Sequence, residues 1–261
     1  MDDDRGPPMP PLRLGELTTD ACASLLRERH PVVLLPVGST EPHGPHLPLA
    51  TDAILSERTC ELAAEQLRAR DVAAVVAPTL PYGVTRYASE FAGAVSLSPE
   101  TTARVLEELL GAWVAAGFAR VCVVNNHLEP EHVEALAAAV SRVPGALFAN
   151  QLTRRWGRTL SAEFRRGDCH AGSYESSLVL AARPELVHDD IRATLAPVPI
   201  SLAVAIREGK KTFRAMGSER AYFGTPSEAT VAEGEALYQL LATMVVTEVC
   251  ESLGLPAEAP A

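Results

Sequence analysis

The chain has 261 residues, 47% of them hydrophobic and 21% charged, with a formal net charge of -10 at pH 7. That length can bury a substantial core and that composition belongs to a globular protein. The acidic balance excludes a nucleic-acid binder, which relies on basic surface, and no run reaches the ~18 apolar residues of a membrane span.

Met1-Asp2-Asp3-Asp4-Arg5 is acidic and leads into a proline-rich stretch, so it does not read as a signal peptide. Residues 1–12 are expected to be a disordered tail and residues 13–261 one domain. The five cysteines are odd in number and form no CxxC pair, which points to reduced thiols in a cytoplasmic protein. A helix from Thr19 to Arg29 leads into a strand at 31–37. A second helix follows from Thr51-Asp52 to about Arg70, and a second strand at 73–77. Ser98-Pro99-Glu100 is a helix start, with an N-cap serine and proline at the first helical position; that helix extends to Ala116. A third strand at 121–125, a helix at 131–140 and a fourth strand at 146–150 come next. The Arg-rich segment 153–168 reads as irregular, 174–182 as helix, and 198–206 as strand or loop. Thr225-Pro226-Ser227-Glu228 has the pattern of a capping box and is expected to open a last helix reaching about Ser252. Strands alternating with helices indicate an α/β fold with a parallel sheet covered on both faces.

Two short stretches carry ligand-type residues. Glu41-Pro42-His43 follows the apolar run at 32–38, and His127-Leu128-Glu129 follows the run at 121–125. Such runs read as buried parallel strands. In extended chain residues i and i+2 point to one side, so each pair can aim two side chains beyond a strand's C-terminal end, where open α/β sheets bind ligands. Taken singly, each residue has an ordinary reading, as a solvated loop residue or, for Asp52, as a helix cap. Together, two imidazoles and three carboxylates form a nitrogen and oxygen donor set suited to Zn²⁺ or Mn²⁺. Five ligands exceed one tetrahedral zinc and suffice for two metals if a carboxylate bridges them.

Val37-Gly38-Ser39-Thr40-Glu41-Pro42-His43-Gly44-Pro45-His46-Leu47-Pro48-Leu49-Ala50-Thr51-Asp52 resembles the signature of the creatininase (creatinine amidohydrolase) family. Asn125-Asn126-His127-Leu128-Glu129 resembles the second ligand block of that family, and His170-Ala171-Gly172-Ser173-Tyr174-Glu175-Ser176-Ser177 the third. The resemblance implies a three-layer α/β/α sandwich with a mainly parallel central sheet, commonly assembled as a hexamer. It implies two divalent metal ions per chain: Glu41, Asp52 and His127 would hold one, and His43, Asp52 and Glu129 the other, with Asp52 bridging. His170 matches the catalytic histidine, which would protonate the leaving nitrogen, and Glu175 the acid beside it. Thr85 and Asp168 stand where the family contacts substrate. The implied activity is metal-dependent hydrolysis of an amide-type C–N bond, in a small amide or short peptide, by an activated water. Cys169, beside His170, then has no nucleophilic task.

The chain departs from a creatinine enzyme at Leu128, where a tyrosine stands between the ligands, and at Arg86-Tyr87, where family members carry Glu-His. A substrate other than creatinine is therefore expected. One alternative is a biosynthetic member, either a peptidase trimming a ribosomally made precursor or a deformylase of a nucleotide intermediate. In the deformylase, Arg154, Arg155, Arg158, Arg165 and Arg166 would recognise phosphate. A third reading is a non-catalytic, metal-stabilised scaffold. His46 is read as structural, and His30, His132 and His188 as surface residues.

Overall fold

A computed structural model describes residues 11–256. Its strands are β1 (Val32–Val37), β2 (Ala74–Val76), β3 (Arg120–Asn125) and β4 (Ala146–Ala149). Its α-helices are α1 (Thr19–Arg29), α2 (Thr51–Ala69), α3 (Pro99–Ala116), α4 (Pro130–Arg142), α5 (Arg154–Gly157) and α6 (Ala162–Arg166). They continue with α7 (Ser173–Ala182), α8 (Asp189–Arg192), α9 (Leu202–Arg207), α10 (Phe213–Met216) and α11 (Val231–Ser252).

The four strands form a parallel sheet in the order β2-β1-β3-β4. Every residue of β1 is buried, as a strand covered on both faces requires. Val32 and Leu34 pack with Leu55 of α2, Leu178 of α7 and Leu241 of α11. Val33, Leu35 and Val37 pack with Leu25 of α1, Leu106 of α3 and Leu136 of α4. The result is the expected three-layer α/β/α arrangement. Strand order reverses between β1 and β3, and such a switch point opens a crevice at the carboxyl ends of the strands. There the register pairs Val37 with Asn125, so the chain leaves both strands at one level.

Helix ends follow local chemistry. Ser98 accepts the Thr101 N–H at the start of α3, as its N-cap position favours. The last helix begins later than expected. Thr225-Pro226-Ser227-Glu228 forms only a 3-10 turn, because the Thr225 N–H is committed to Glu163 and Ala229 is extended; Thr230 caps α11 by accepting the Glu233 N–H. The 198–206 stretch is neither continuous strand nor loop: Val198 makes an isolated bridge to Gly224, and α9 starts at Leu202. The Arg-rich segment contains the short helices α5 and α6. Residues 1–10 of the expected tail lie outside the described residues, whereas Leu12 packs against the core. Among the described residues no helix is long and apolar enough to cross a membrane.

Candidate functional site

Gly38, directly after β1, lies so close to the first turn of α2 that a Cβ there would meet Asp52 Cβ at 2.8 Å. This close approach brings Asp52 beside the Glu41–His43 loop. The helix N-terminus also favours its negative charge. Glu175 sits likewise in the first turn of α7, and the Ala171 N–H donates to its Oε2 at 2.7 Å.

Six buried side chains converge at this point. Asp52 divides its oxygens between two imidazoles, with Oδ1 3.1 Å from His43 Nε2 and Oδ2 3.1 Å from His127 Nδ1. Glu41 Oε1 lies 3.2 Å from His127 Nδ1 and 3.8 Å from His170 Nδ1, while its Oε2 accepts the Thr85 hydroxyl. Glu175 Oε2 is 3.4 Å from His43 Nε2. Three donor sets result: Glu41 with Asp52 and His127, His43 with Asp52 and Glu175, and Glu41 with His43 and His170.

Each imidazole is oriented by a backbone carbonyl on its outer nitrogen. His43 Nδ1 pairs with the Glu41 carbonyl at 3.0 Å, His127 Nε2 with that of Val84 at 2.6 Å, and His170 Nε2 with that of Pro42 at 3.1 Å. Only the N–H form can donate to a carbonyl, so the inward nitrogen of each neutral ring carries a lone pair. Histidine ligands are held this way in metal sites.

The charges need compensation. Burial opposes ionisation of Glu41 and Asp52, yet His127 holds Glu41, and His43 with His127 hold Asp52, below the usual carboxylate range. Burial likewise opposes charge on the two imidazoles, but Asp52, Glu175 and Glu41 lift His43 to about 10, and Glu41 with Asp52 lift His127 well above its ordinary value. Burial pushes Glu175 up to about 8 against the pull of His43. Burial and His43 press His170 down to about 4. Two imidazolium protons and one carboxylic proton therefore neutralise three carboxylates when no cation is bound. An uncompensated buried ion costs on the order of several kcal/mol, and divalent cations would replace those protons. His43 Nε2 and Asp52 Oδ2 are buried within 3.1 Å of oppositely charged groups, yet neither makes a hydrogen bond of good geometry. The donor set thus fits divalent metal ions.

Residues 15–249 match the family model described as creatinine amidohydrolase. The chain belongs to the creatininase family. It is 35% identical over 233 residues to the mycofactocin precursor peptide peptidase of Mycolicibacterium smegmatis, covering 87% of this chain and 86% of that one. It is 28% identical over 197 residues to the creatinine amidohydrolase of Pseudomonas putida, covering 68% and 74%. A solved manganese form of creatininase is alike in fold, with a TM-score of 0.72, 21% identity, and coverage of 93% of this chain and 98% of that chain. The protein is accordingly an amidohydrolase, a hydrolase of C–N bonds.

The three donor sets differ from the expected ligand set at one position. Glu129 does not enter any of the three donor sets; Glu175 stands with His43 and Asp52 in its place. Glu129 is the N-cap of α4, and its carboxylate accepts the Arg86 N–H at 2.9 Å and the Tyr87 N–H at 3.2 Å. It lines the cavity over the donor cluster instead.

That cavity has a volume of about 280 Å³, and its walls include Leu128, Leu152, Leu202, Ile206 and Phe213. Thr85 is fully buried and orients Glu41 rather than facing this space. Asp168 is buried beside Arg166, 3.3 Å from its Nε, and does not line the cavity either. Cys169 does line it, with burial pushing its thiol well above the ordinary value, which disfavours the thiolate a nucleophile needs. The Arg-rich segment contributes no guanidinium: Arg155 pairs with Glu251 and stacks on Trp156, and Arg165 donates to the Leu160 carbonyl. Trp156 is buried, bonded to Glu248 through Nε1, and is not a wall of the cavity.

Two residues escaped the sequence reading. Glu163 is buried and accepts the Tyr174 N–H, at the start of the Glu175 helix, and the Thr225 N–H; nothing in its local sequence signals this. His132, expected at the surface, is fully buried against His127, with ring centroids 4.7 Å apart. His46 is structural as expected, buried and 2.9 Å from the Ser176 hydroxyl.

Proposed function

We propose that this chain hydrolyses an amide bond in an apolar peptide, at a site completed by two divalent cations. The observation that carries this reading is the cavity itself. Glu41, Asp52 and Glu175 with the imidazoles of His127 and His170 form its floor, and leucine, isoleucine and phenylalanine form its walls. Glu41, Asp52 and His127 would hold one cation and His43, Asp52 and Glu175 the other; zinc and manganese suit such donors. When bound, the cations would supply a nucleophilic water at neutral pH and polarise the scissile carbonyl.

The remaining steps fall to side chains. Neutral His170 keeps its Nε2–H on the Pro42 carbonyl, so Nδ1 takes the proton of the attacking water and hands it to the leaving nitrogen. Phe213, 4.4 Å from the His170 ring between centroids, restricts that ring and keeps water from it. Leu128 and its apolar neighbours take the substrate's side chains.

Relatives named as precursor peptide peptidases support a peptide substrate. Creatinine is the second reading, through the Pseudomonas putida relative, but its polar ring would find few hydrogen-bonding partners on these walls. A nucleotide substrate is disfavoured because no arginine among the described residues lines the cavity. We also take the protein to be cytoplasmic and a homo-oligomer, a hexamer by family resemblance; light scattering on the purified chain tests the assembly. Function is tested by incubating zinc- or manganese-loaded protein with a peptide panel and with creatinine. Cleavage beside apolar residues is expected, and turnover of creatinine alone would overturn the reading.

A further inference from the structure

We propose that His132 is a positioning residue that pins the Gly83–Tyr87 segment and, through it, fixes His127 and Glu41 for metal binding. The inference rests on the metal reading above. The Val84 N–H donates to His132 Nδ1 at 3.2 Å, so the proton of this imidazole sits on Nε2, which donates to Asn125 Oδ1 at 3.0 Å. Asn125 Nδ2 donates to the His127 carbonyl at 2.6 Å, and His127 Nε2–H returns to the Val84 carbonyl at 2.6 Å. The hydrogen bonds thus close a ring through Val84, His132, Asn125 and His127. Within it the direction of every proton is set by a backbone group.

This ring does more than satisfy a buried histidine. The pinned segment presents three consecutive contacts to the site: the Val84 carbonyl to His127, the Thr85 hydroxyl to Glu41, and the Arg86 and Tyr87 N–H groups to Glu129. Its fit to His132 is tight, since a Cβ on Gly83 would lie 2.2 Å from the imidazole. His132 itself does not line the cavity, so it reaches the substrate only through the residues it holds.

The test measures zinc affinity, by competition with a fluorescent chelator, and steady-state kinetics for wild type, His132→Leu, His132→Gln and His132→Asn. Glutamine can offer one acceptor and one donor at similar reach, while asparagine is too short to bridge both partners. Leucine and asparagine should weaken zinc binding about 10–100-fold, the usual cost of losing a partner that orients a metal ligand. They should lower kcat with KM nearly unchanged, and glutamine should restore most of both. Wild-type affinity and kcat in the leucine variant would overturn the proposal. If that variant fails to fold, equal behaviour of the glutamine and asparagine variants would overturn it instead. A wild type that takes up no zinc removes the metal reading, and this inference with it.

Discussion

Glu175 Oε2 lies 3.4 Å from His43 Nε2, joining the first turn of α7 to the loop after β1. Both side chains are buried. We take the pair to mark one half of the proposed centre, with Glu175 rather than Glu129 completing it. Glu175→Gln should lose one metal ion per chain and lower kcat by more than ~10²-fold, beyond what loss of an orienting partner costs. Glu129→Gln should keep its metal content. Elemental analysis of both variants checks this, and the reverse pattern would restore Glu129 as the ligand.

Proton release should accompany metal uptake. Without a cation His43 titrates at about 10, His127 well above its ordinary value and Glu175 at about 8, so all three carry protons at pH 7. Ligands must shed them to bind, and about two to three protons should leave as the centre fills. Affinity should rise as pH climbs from 6 towards 9. Calorimetry in buffers of different ionisation heat measures the release; uptake without it would contradict the assignment.

Stability of the metal-free chain should run the other way. The raised His43 stabilises fully below the unfolded imidazole value and loses that contribution as pH rises through about 10. The raised Glu175 likewise stabilises below the unfolded carboxyl value and loses its contribution through about 8. His170, depressed to about 4, is destabilised only as pH falls below the unfolded imidazole value. Metal-free protein should thus melt lower at pH 9 than at pH 6, and zinc should raise Tm more at pH 9. Melting curves with and without chelator decide it.

His170→Ala should retain its metal, because the two sets assigned to cations do not include it, and should lose about 10²–10⁴ in kcat, the range of a general acid–base group. Cys169→Ser should stay active, since the buried thiol is held protonated. Unchanged turnover in the first variant would remove His170 from the proton path.

The sheet was legible because strands covered on both faces read as unbroken apolar runs, as Val32–Val37 does, and Ser98-Pro99 marked a helix start by its own chemistry. Glu41 and His43 do converge as an i, i+2 pair. His127 and Glu129 do not, because the Asn125 side chain clasps the His127 backbone and Glu129 turns into the cap of α4, ending the alternation of extended chain. Glu175 is marked by the block that also holds His170, but its place beside His43 comes from the packing of α7 against α2 and α11, which that spacing does not encode. His132 sits on a helix whose sequence does not reveal that a glycine on another segment makes room for its ring.

The most direct measurement is the metal content of wild-type protein and of Asp52→Ala, by elemental analysis of protein purified without chelator. Asp52 gives one oxygen to each half of the cluster, so wild type should carry two transition-metal ions per chain and the variant should lose both or retain one weakly. Wild type that is active and metal-free, or an Asp52→Ala chain that still holds two ions, would contradict the account.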